Sequence, residues 1–333
     1  MPALRQRLAT SLLVLLVALG PHTAWSRTAQ FDLVVSGEER MQADLKDLVA
    51  GFEKDQPLEG DSLALLQAAQ VVEGRIRSAL RSRGFYDARI EATVAGQPIG
   101  EAAALDALEA QSEAAKATFR ISVETGPRYR IGDVFVRPAG REESLPGIDR
   151  GALGLSAGDP ADAAAVLAAQ ETLLGELRRQ GYALARIGRD AVVNHATREM
   201  TVTFTAETGP LAKMGPVRFS GTDKVDTTWL QRRVPFKVGE TYDPGKVEAL
   251  RGKLTSLGVF NSVRIATPKA LDANGELPLD VQVTDRPPRS IGFGIAYETQ
   301  LGFSVNGYWT HRNLFGQAES LRLSAEINHI GQG

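Results

Sequence analysis

The sequence predicts an α+β protein made of three tandem modules with the element order β-α-α-β-β, followed by the first strands of a truncated transmembrane β-barrel. Three observations predict this architecture. Short motifs recur at an interval of 83 residues, apolar residues recur at helical spacing within each repeat, and apolar and polar residues alternate after Pro287-Pro288. A chain of 333 residues has the length of two or three domains.

The repeat is clearest in a four-residue motif. Glu124-Thr125-Gly126-Pro127 recurs 83 residues later as Glu207-Thr208-Gly209-Pro210. Each unit also has a glycine that ends a predicted helix, and these glycines are Gly84, Gly181 and Gly258. The step from this glycine to the end of the unit takes 28 residues in the second and third units but 42 in the first. The excess lies in residues 96–116, an Ala- and Glu-rich insert that we expect to be a solvated loop or a short helix.

The third unit shows the element order best. Asp226 is predicted to cap a brief helix, and Asp243 to cap a longer one that has Pro244 at its first position. The residues that follow lie on one helical face, at spacings of three, four and three: Val247, Leu250, Leu254 and Leu257. Because the predicted sheet has one polar face, we expect both helices to cover its other face.

Composition excludes several classes of site. The sequence has no Cys, which excludes disulfides, a Cys-based zinc site and a Cys nucleophile. Its four His residues lie far apart, and its basic residues are scattered across a chain of net charge −2. We therefore expect a protein that is not an enzyme, has no cofactor or metal, and binds no nucleic acid.

The amino terminus has the layout of a secretory signal peptide. Two arginines precede an apolar run from Leu8 to Leu19, and small residues stand at the −3 and −1 positions of a cleavage site between Ser26 and Arg27. The alternative is a membrane helix, which needs roughly 20 apolar residues; Gly20-Pro21 breaks the run too early. Removal of both arginines changes the net charge from −2 to −4.

The predicted boundaries follow from these features. They are a signal peptide over residues 1–26, a first module over 27–127, a second over 128–210, a third over 211–288, and barrel strands over 289–333. In the last region, Ile291, Phe293 and Ile295 alternate with small residues, and Tyr308-Trp309 fits a membrane boundary. A soluble meander also alternates in this way. The exported context favours the barrel, which needs about eight strands or more to close.

A short motif in the predicted barrel region points to a known family of proteins. The motif after the second barrel strand comprises Trp309, Arg312, Asn313, Leu314, Phe315 and Gly316. Exported tandem modules leading into a barrel with an "RNLFG" stretch resemble the Omp85 superfamily, whose modules are the POTRA domains. The count of three modules resembles the TamA-like members.

The resemblance implies a function and partners. It implies the outer component of a translocation and assembly module in the Gram-negative outer membrane, with POTRA domains in the periplasm. The implied partners are a TamB-like periplasm-spanning inner-membrane protein, client outer-membrane proteins of the autotransporter type, and outer-membrane lipid. The alternative is a two-partner-secretion transporter that passes one unfolded exoprotein, a class that carries two modules.

We expect partner binding at an open strand edge, by pairing of backbone groups. In the first module this edge is predicted near Tyr86–Val94, with the candidate residues Tyr86, Asp87, Ala88, Arg89, Ile90 and Glu91. Proline at Arg89 is expected to remove an N–H from the edge. The alternative is that the charged residues serve only to prevent aggregation.

The signal-peptide interpretation has a direct test. Amino-terminal sequencing of the mature protein is expected to begin at Arg27, because small residues precede that position. An intact Met1 in the exported protein would contradict it.

Overall fold

The computed structural model describes residues 27–56, 58–112, 116–140, 145, 147–298 and 302–330. The predicted signal peptide, including Ser26, lies outside these residues. The chain divides into two compact units, one ending at Arg128 and the other beginning at Tyr129. Among the helices described, none is long and apolar enough to cross a membrane.

The first unit is a mixed sheet with helices packed on it. Its strands are β1 (Arg27–Ser36), β2 (Glu59–Gly60), β3 (Arg89–Val94), β4 (Gln97–Pro98) and β5 (Ala117–Glu124). Its helices are α1 (Glu39–Asp55), α2 (Ser62–Ser82) and α3 (Ala102–Glu109). The strand order is β2-β1-β5-β3-β4, with β5 parallel to β1 and antiparallel to β3.

The core of this unit lies between β5 and the two long helices. Alternate residues of β5 are buried, and α2 buries a stripe at helical spacing that includes Val72, Ile76 and Leu80. Asp61 begins α2 by accepting a hydrogen bond from the N–H of Ala64 at 2.7 Å. The predicted helical coverage of one sheet face is therefore present here.

The insert over residues 96–116 contains a short helix, which is one of the two predicted alternatives, but this helix packs on the core instead of being solvated. It adds β4 to the edge of the sheet, and its helix α3 buries Ala104 and Leu108 completely. Arg27, itself buried, donates from its guanidinium to the carbonyl oxygens of Leu108 and, at 3.0 Å, Gln111. The Ala-rich composition of the insert did not reveal that α3 is amphipathic. Its few apolar residues are enough for it to pack on the core.

The second module has one long helix. Its elements are β6 (Arg130–Pro138), α4 (Ala163–Arg179), β7 (Arg186–Asn194) and β8 (Glu199–Glu207), in the sheet order β6-β8-β7. Where the sequence predicts the first helix, the described residues form only a short 3-10 helix, Arg150–Leu153. Gly154, with φ of 62°, ends it in the left-handed region.

The third module follows the predicted order closely. Its elements are β9 (Lys213–Ser220), α5 (Thr227–Gln231), α6 (Pro244–Ser256), β10 (Phe260–Ala266) and β11 (Glu276–Asp285), in the sheet order β10-β11-β9. Both predicted caps are confirmed: Asp226 accepts from the N–H of Thr228 at 2.8 Å, and Asp243 from that of Gly245 at 2.7 Å.

The last described part is an antiparallel sheet of three strands, which are β12 (Arg289–Glu298), β13 (Gly302–Arg312) and β14 (Ser320–Ile330). Its register stacks apolar residues in rows across the strands, such as Ile291, Trp309 and Leu323. The intervening rows are polar or small, such as Ser290, Thr310 and Arg322. The predicted fold class, α+β modules leading into unclosed barrel strands, is confirmed.

The role of the insert is testable by substitution at Leu108. Leu108→Ala is expected to destabilise the first unit by about 2–5 kcal/mol, because it removes a fully buried side chain. The matched control Leu63→Ala, at a half-exposed position of α2, is expected to change stability by less than about 0.5 kcal/mol. Urea unfolding of the full chain, followed by hydrogen exchange at the amides of β5, measures both. If the two variants were equally stable, Leu108 would contribute nothing to the core, and the insert would have to be regarded as a solvated segment.

Candidate functional site

Open strand edges are the first candidate site. In each module the third long strand, β5, β8 or β11, lies in the centre of the sheet. The second long strand lies at an edge in the second and third modules, and in the first module β4 covers part of it. An edge strand carries N–H and C=O groups that no neighbour pairs, and these can bind an added strand. The question is which of these edges is uncovered.

The edge of the first module is shorter than predicted. Strand β3 begins at Arg89, whereas Tyr86, Asp87 and Ala88 precede it in a turn. Ile90 is half-buried against the core, and Arg89 and Glu91 are exposed. The Arg89 guanidinium lies 4.0 Å from the carboxylate of Glu124, with both side chains largely exposed. An ion pair this exposed contributes little to stability.

The backbone of Arg89 points toward the neighbouring strand. The carbonyl oxygen of Ala92 accepts from the N–H of Ile99 at 3.0 Å, on the side of β4. Since backbone groups alternate in direction along a strand, Ile90 also points to that side and Arg89 points to β5. The prediction that proline at Arg89 removes an edge N–H is therefore wrong: it would remove a bond within the sheet. With β4 pairing Thr93 and Val94, and Ile99 bonded to the oxygen of Ala92, Ile90 is the residue of β3 whose N–H and C=O both face outward past the end of β4.

The edge of the second module is longer. Strand β7 pairs with β8 over nine residues without a register shift, and in the described residues no strand lies on its other side. The N–H of Ala139 donates to the oxygen of Ala206 at 2.9 Å, so the backbone groups of Ala206 in β8 point toward β6. The backbone groups of the residues on either side of Ala206 therefore point toward β7. The outward-facing residues of β7 are therefore Ile187, Arg189, Ala191 and Val193.

A side-chain contact agrees with this direction. The Nε2 of Gln170 on α4 donates to the oxygen of Ile187 at 3.0 Å, and Arg189 donates to the Oε1 of the same glutamine at 2.8 Å. The backbone groups of Arg189, Ala191 and Val193 are thus left facing outward. Sequence reasoning did not identify this strand, because its exposed residues are mostly polar. The available signal was that Ile187, Ala191 and Val193 lie an even number of residues apart, between Gly181 and the turn over residues 195–198.

The turn between β13 and β14 is the second candidate site. We call residues 313–319 the docking turn. Of the predicted barrel motif, Trp309 and Arg312 lie in β13, and the remaining residues lie in this turn. Leu314 and Phe315 are exposed, Phe315 to 82 %. The structure brings the motif against the third module, which sequence reasoning did not anticipate.

Three contacts join the docking turn to the third module. The Nδ2 of Asn313 donates to the oxygen of Lys224 at 2.6 Å, and the N–H of Asp226 donates to the oxygen of Gly316 at 2.9 Å. Ala318 packs against the core of the third module. The contacts are directional backbone and amide hydrogen bonds supported by one apolar contact.

A cavity of about 540 Å³ lies beside the turn. Its lining includes Lys224, Arg286 and Arg312 together with Asp285 and His311. The Oδ1 of Asp285 and the Nδ1 of His311 are buried, with no hydrogen-bond partner among the described residues. Within the same described part of the chain, no three His, Asp or Glu residues are grouped closely enough to hold a metal ion.

The carboxylate of Glu319 organises the turn from within. Its Oε2 accepts from the N–H groups of Phe315 at 3.2 Å and Gln317 at 3.3 Å. Desolvation acts to raise the pKa of Glu319, but hydrogen bonds from the backbone N–H groups of Glu319, Phe315 and Gln317 outweigh it and lower that pKa below the ordinary 4.5. The negative charge of Glu319 therefore stabilises the folded turn.

This pKa shift predicts acid sensitivity of the turn. A lowered folded-state pKa means that the stabilisation is present above the unfolded pKa and is lost as pH falls through the folded one. The amide shifts of Phe315 and Gln317 are expected to titrate together with a midpoint below 4.5, as followed by NMR. Glu319→Gln is expected to abolish that titration, and a midpoint at or above 4.5 would contradict the assignment.

The comparisons with known proteins agree with this architecture. Residues 212–286 match the family model "POTRA", described as a surface antigen variable number repeat. Two relatives carry the name outer membrane protein assembly factor BamA, which describes an assembly factor and not an enzyme. The one from Neorickettsia risticii is 23 % identical over 68 % of this chain, and the one from Neisseria meningitidis is 20 % identical over 66 %. The chain spans 30 % and 27 % of their respective lengths.

A solved structure shares the fold. It is BamA from Haemophilus ducreyi lacking POTRA domains 1–3, with 20 % identity and a TM-score of 0.50 over 60 % of this chain and 37 % of that one. The third module is therefore a POTRA domain, and the chain is homologous to the BamA/Omp85 superfamily.

Proposed function

We propose that this chain is an outer-membrane assembly factor of the Omp85 type, with its POTRA modules in the periplasm. The modules offer open strand edges to partner or client strands, and β12–β14 form part of a barrel wall that supports insertion of outer-membrane proteins. The observation that carries the proposal is that a β-sheet with one apolar and one polar face, β12–β14, directly follows a POTRA domain.

The two faces of that sheet support a place in a lipid bilayer. Ile291, Phe293 and Ile295 are all more than 60 % exposed and share one face of β12. Leu323 and Ile327 extend the same rows on β14, and both are also more than half exposed. An apolar surface of this kind is unfavourable in water, whereas lipid chains can cover it. The opposite face carries polar residues such as Asn306 and Glu326.

The POTRA edges support a role in holding extended chains. Edge β7 presents the outward backbone groups of Arg189, Ala191 and Val193 without a covering strand in the described chain. An incoming strand would gain main-chain hydrogen bonds there with little demand on its sequence. This suits clients that share strand structure more than sequence. It replaces the first-module edge as our favoured binding site.

Within the superfamily we favour a TamA-like role. The support is the presence of three modules, as in the resemblance on which the sequence interpretation rests. A TamB-like periplasm-spanning protein would then be the partner, with autotransporter-like outer-membrane proteins as clients. A two-partner-secretion transporter would instead bind one secreted exoprotein, and the identity of the bound protein distinguishes the two roles.

The test is a proline placed on β7. Ala191→Pro removes an outward N–H from an exposed position, which edge strands tolerate. We expect its circular dichroism and melting temperature to match those of the unchanged protein, and its co-purification with the TamB-like partner and client proteins from the envelope to be lost. Ala191→Ser, which keeps the N–H, is expected to bind normally.

A second proline controls for direction. Val192→Pro removes an N–H that faces β8, and is expected to destabilise the second module by about 1–3 kcal/mol. Unchanged binding by a folded Ala191→Pro variant would exclude this edge. Co-purification of a single secreted protein in place of barrel clients would favour the two-partner-secretion role.

A further inference from the structure

The covalent link between the third module and the barrel strands is short. Only Arg286, Pro287 and Pro288 separate the end of β11 from the start of β12. The N–H of Arg312 donates to the oxygen of Pro288 at 2.7 Å, and the N–H of Arg286 to that of Val259 at 2.8 Å. These bonds hold the two ends of the link but leave the direction of the module to contacts made elsewhere.

The docking turn supplies such contacts through an unusual backbone. Asn313 and Ala318 have φ of 55° and 61°, and Gly316 has φ of 87°. Residues other than glycine rarely adopt this left-handed backbone region, and Ala lacks the polar side chain that lets Asn tolerate it. Strained positions persist where the surrounding contacts fix them. Here the fixing contacts include atoms of another module.

The side chain of Asn313 links the turn to the module. Its Oδ1 accepts from the N–H of Ala318 at 3.0 Å, inside the turn, and its Nδ2 donates to the oxygen of Lys224, outside it. One planar amide thus fixes the turn and attaches it to a partner 89 residues away in sequence. A carboxylate at this position could make only the first of these bonds.

The receiving loop is itself organised. The Oγ1 of Thr222 accepts from the N–H groups of Lys224 at 3.3 Å and Val225 at 3.1 Å. Asp226 caps α5 with its carboxylate and donates its own N–H to Gly316. Both surfaces are therefore ordered by local bonds and meet through atoms whose direction is fixed.

We infer that the docking turn is a clasp that sets the orientation of the third POTRA module relative to the barrel strands, and that Asn313 is its positioning residue. The clasp acts through the Asn313–Lys224 and Asp226–Gly316 bonds, with Ala318 seated on the module core. Without it, the orientation of the module would depend on the Arg286-Pro287-Pro288 link alone, where the proline rings fix φ but leave the ψ angles to rotate. The orientation of the module set by these contacts does not depend on which proteins the chain binds.

The test uses the separation of the two Asn313 bonds. Asn313→Asp keeps the acceptor for Ala318 and tolerance of the left-handed backbone, but cannot donate to Lys224. The matched control is Gln317→Glu, which makes the same amide-to-carboxylate change at an exposed position of the same turn. Because the chain has no Cys, spin labels can be attached uniquely through Lys253→Cys on α6 and Glu326→Cys on β14.

Two measurements on the full chain in detergent micelles give the outcome. The label-to-label distance distribution is expected to be narrow in the unchanged protein and in Gln317→Glu, and broad in Asn313→Asp. The amide of Asp226 is expected to exchange roughly tenfold faster in Asn313→Asp than in the control, because its hydrogen-bonded partner moves away. Melting of the third module is expected to stay unchanged.

Either of two results would overturn the inference. A distance distribution in Asn313→Asp as narrow as that of the control means that Asn313 does not position the module. A lowered melting temperature of the third module, in step with the broadening, means that Asn313 acts on stability alone. Asn313→Gly, which accepts the backbone but makes neither side-chain bond, is expected to broaden the distribution to at least the same extent.

Discussion

The central strand of each module constrains most of what surrounds it. Strands β5, β8 and β11 each pair in parallel with the first long strand of the module and antiparallel with the second, which is β3, β7 or β10. Because helices cover only one face, each central strand buries alternate residues, as Phe119, Ile121 and Val123 do in β5. In the second and third modules the remaining strands lie at edges, and half of their backbone groups turn away from the sheet, whereas in the first module β2 and β4 pair with β1 and β3. Open edges are thus a consequence of how these small cores are built.

The modules treat these edges differently. The insert of the first module turns back as β4 and pairs with Thr93 and Val94, and β2 pairs with the first residues of β1. The second module leaves β7 uncovered in the described chain but places Arg189 and Asp190 along it, and charged residues oppose indiscriminate pairing. An edge that is open yet charged can bind selected strands without promoting aggregation. On β7, partner binding and the prevention of aggregation by charged residues are therefore compatible. On β3, the pairing with β4 leaves few free backbone groups for a partner strand.

The sequence predicts those parts of the fold that local chemistry determines. The Asp226 and Asp243 caps, the α6 stripe and the alternation of the last strands each depend on residues within a few positions of one another, and each is present. The packing of the insert was not predicted, because Leu108 joins a core built from residues distant in sequence, and its carbonyl oxygen accepts from Arg27, 81 residues away. The direction of the Arg89 N–H could not be predicted, because parity depends on which strand becomes the neighbour. The partner of Asn313 could not be predicted for the same reason, because it lies 89 residues away in sequence.

The docking turn shows how a local motif acquires a long-range role. Its backbone has left-handed residues that the motif itself specifies, since Asn and Gly are the residues that accept them most readily. That backbone aims the Asn313 amide and the Gly316 carbonyl at a loop ordered by Thr222 and Asp226. The third module ends in a link of three residues, in which two prolines fix φ and leave the ψ angles to be set by contacts elsewhere. Under the proposed function, the modules can present a bound strand to the barrel strands at a constant angle only if the third module is itself held in place, and the contacts at Lys224 and Asp226 are those that would keep that angle constant.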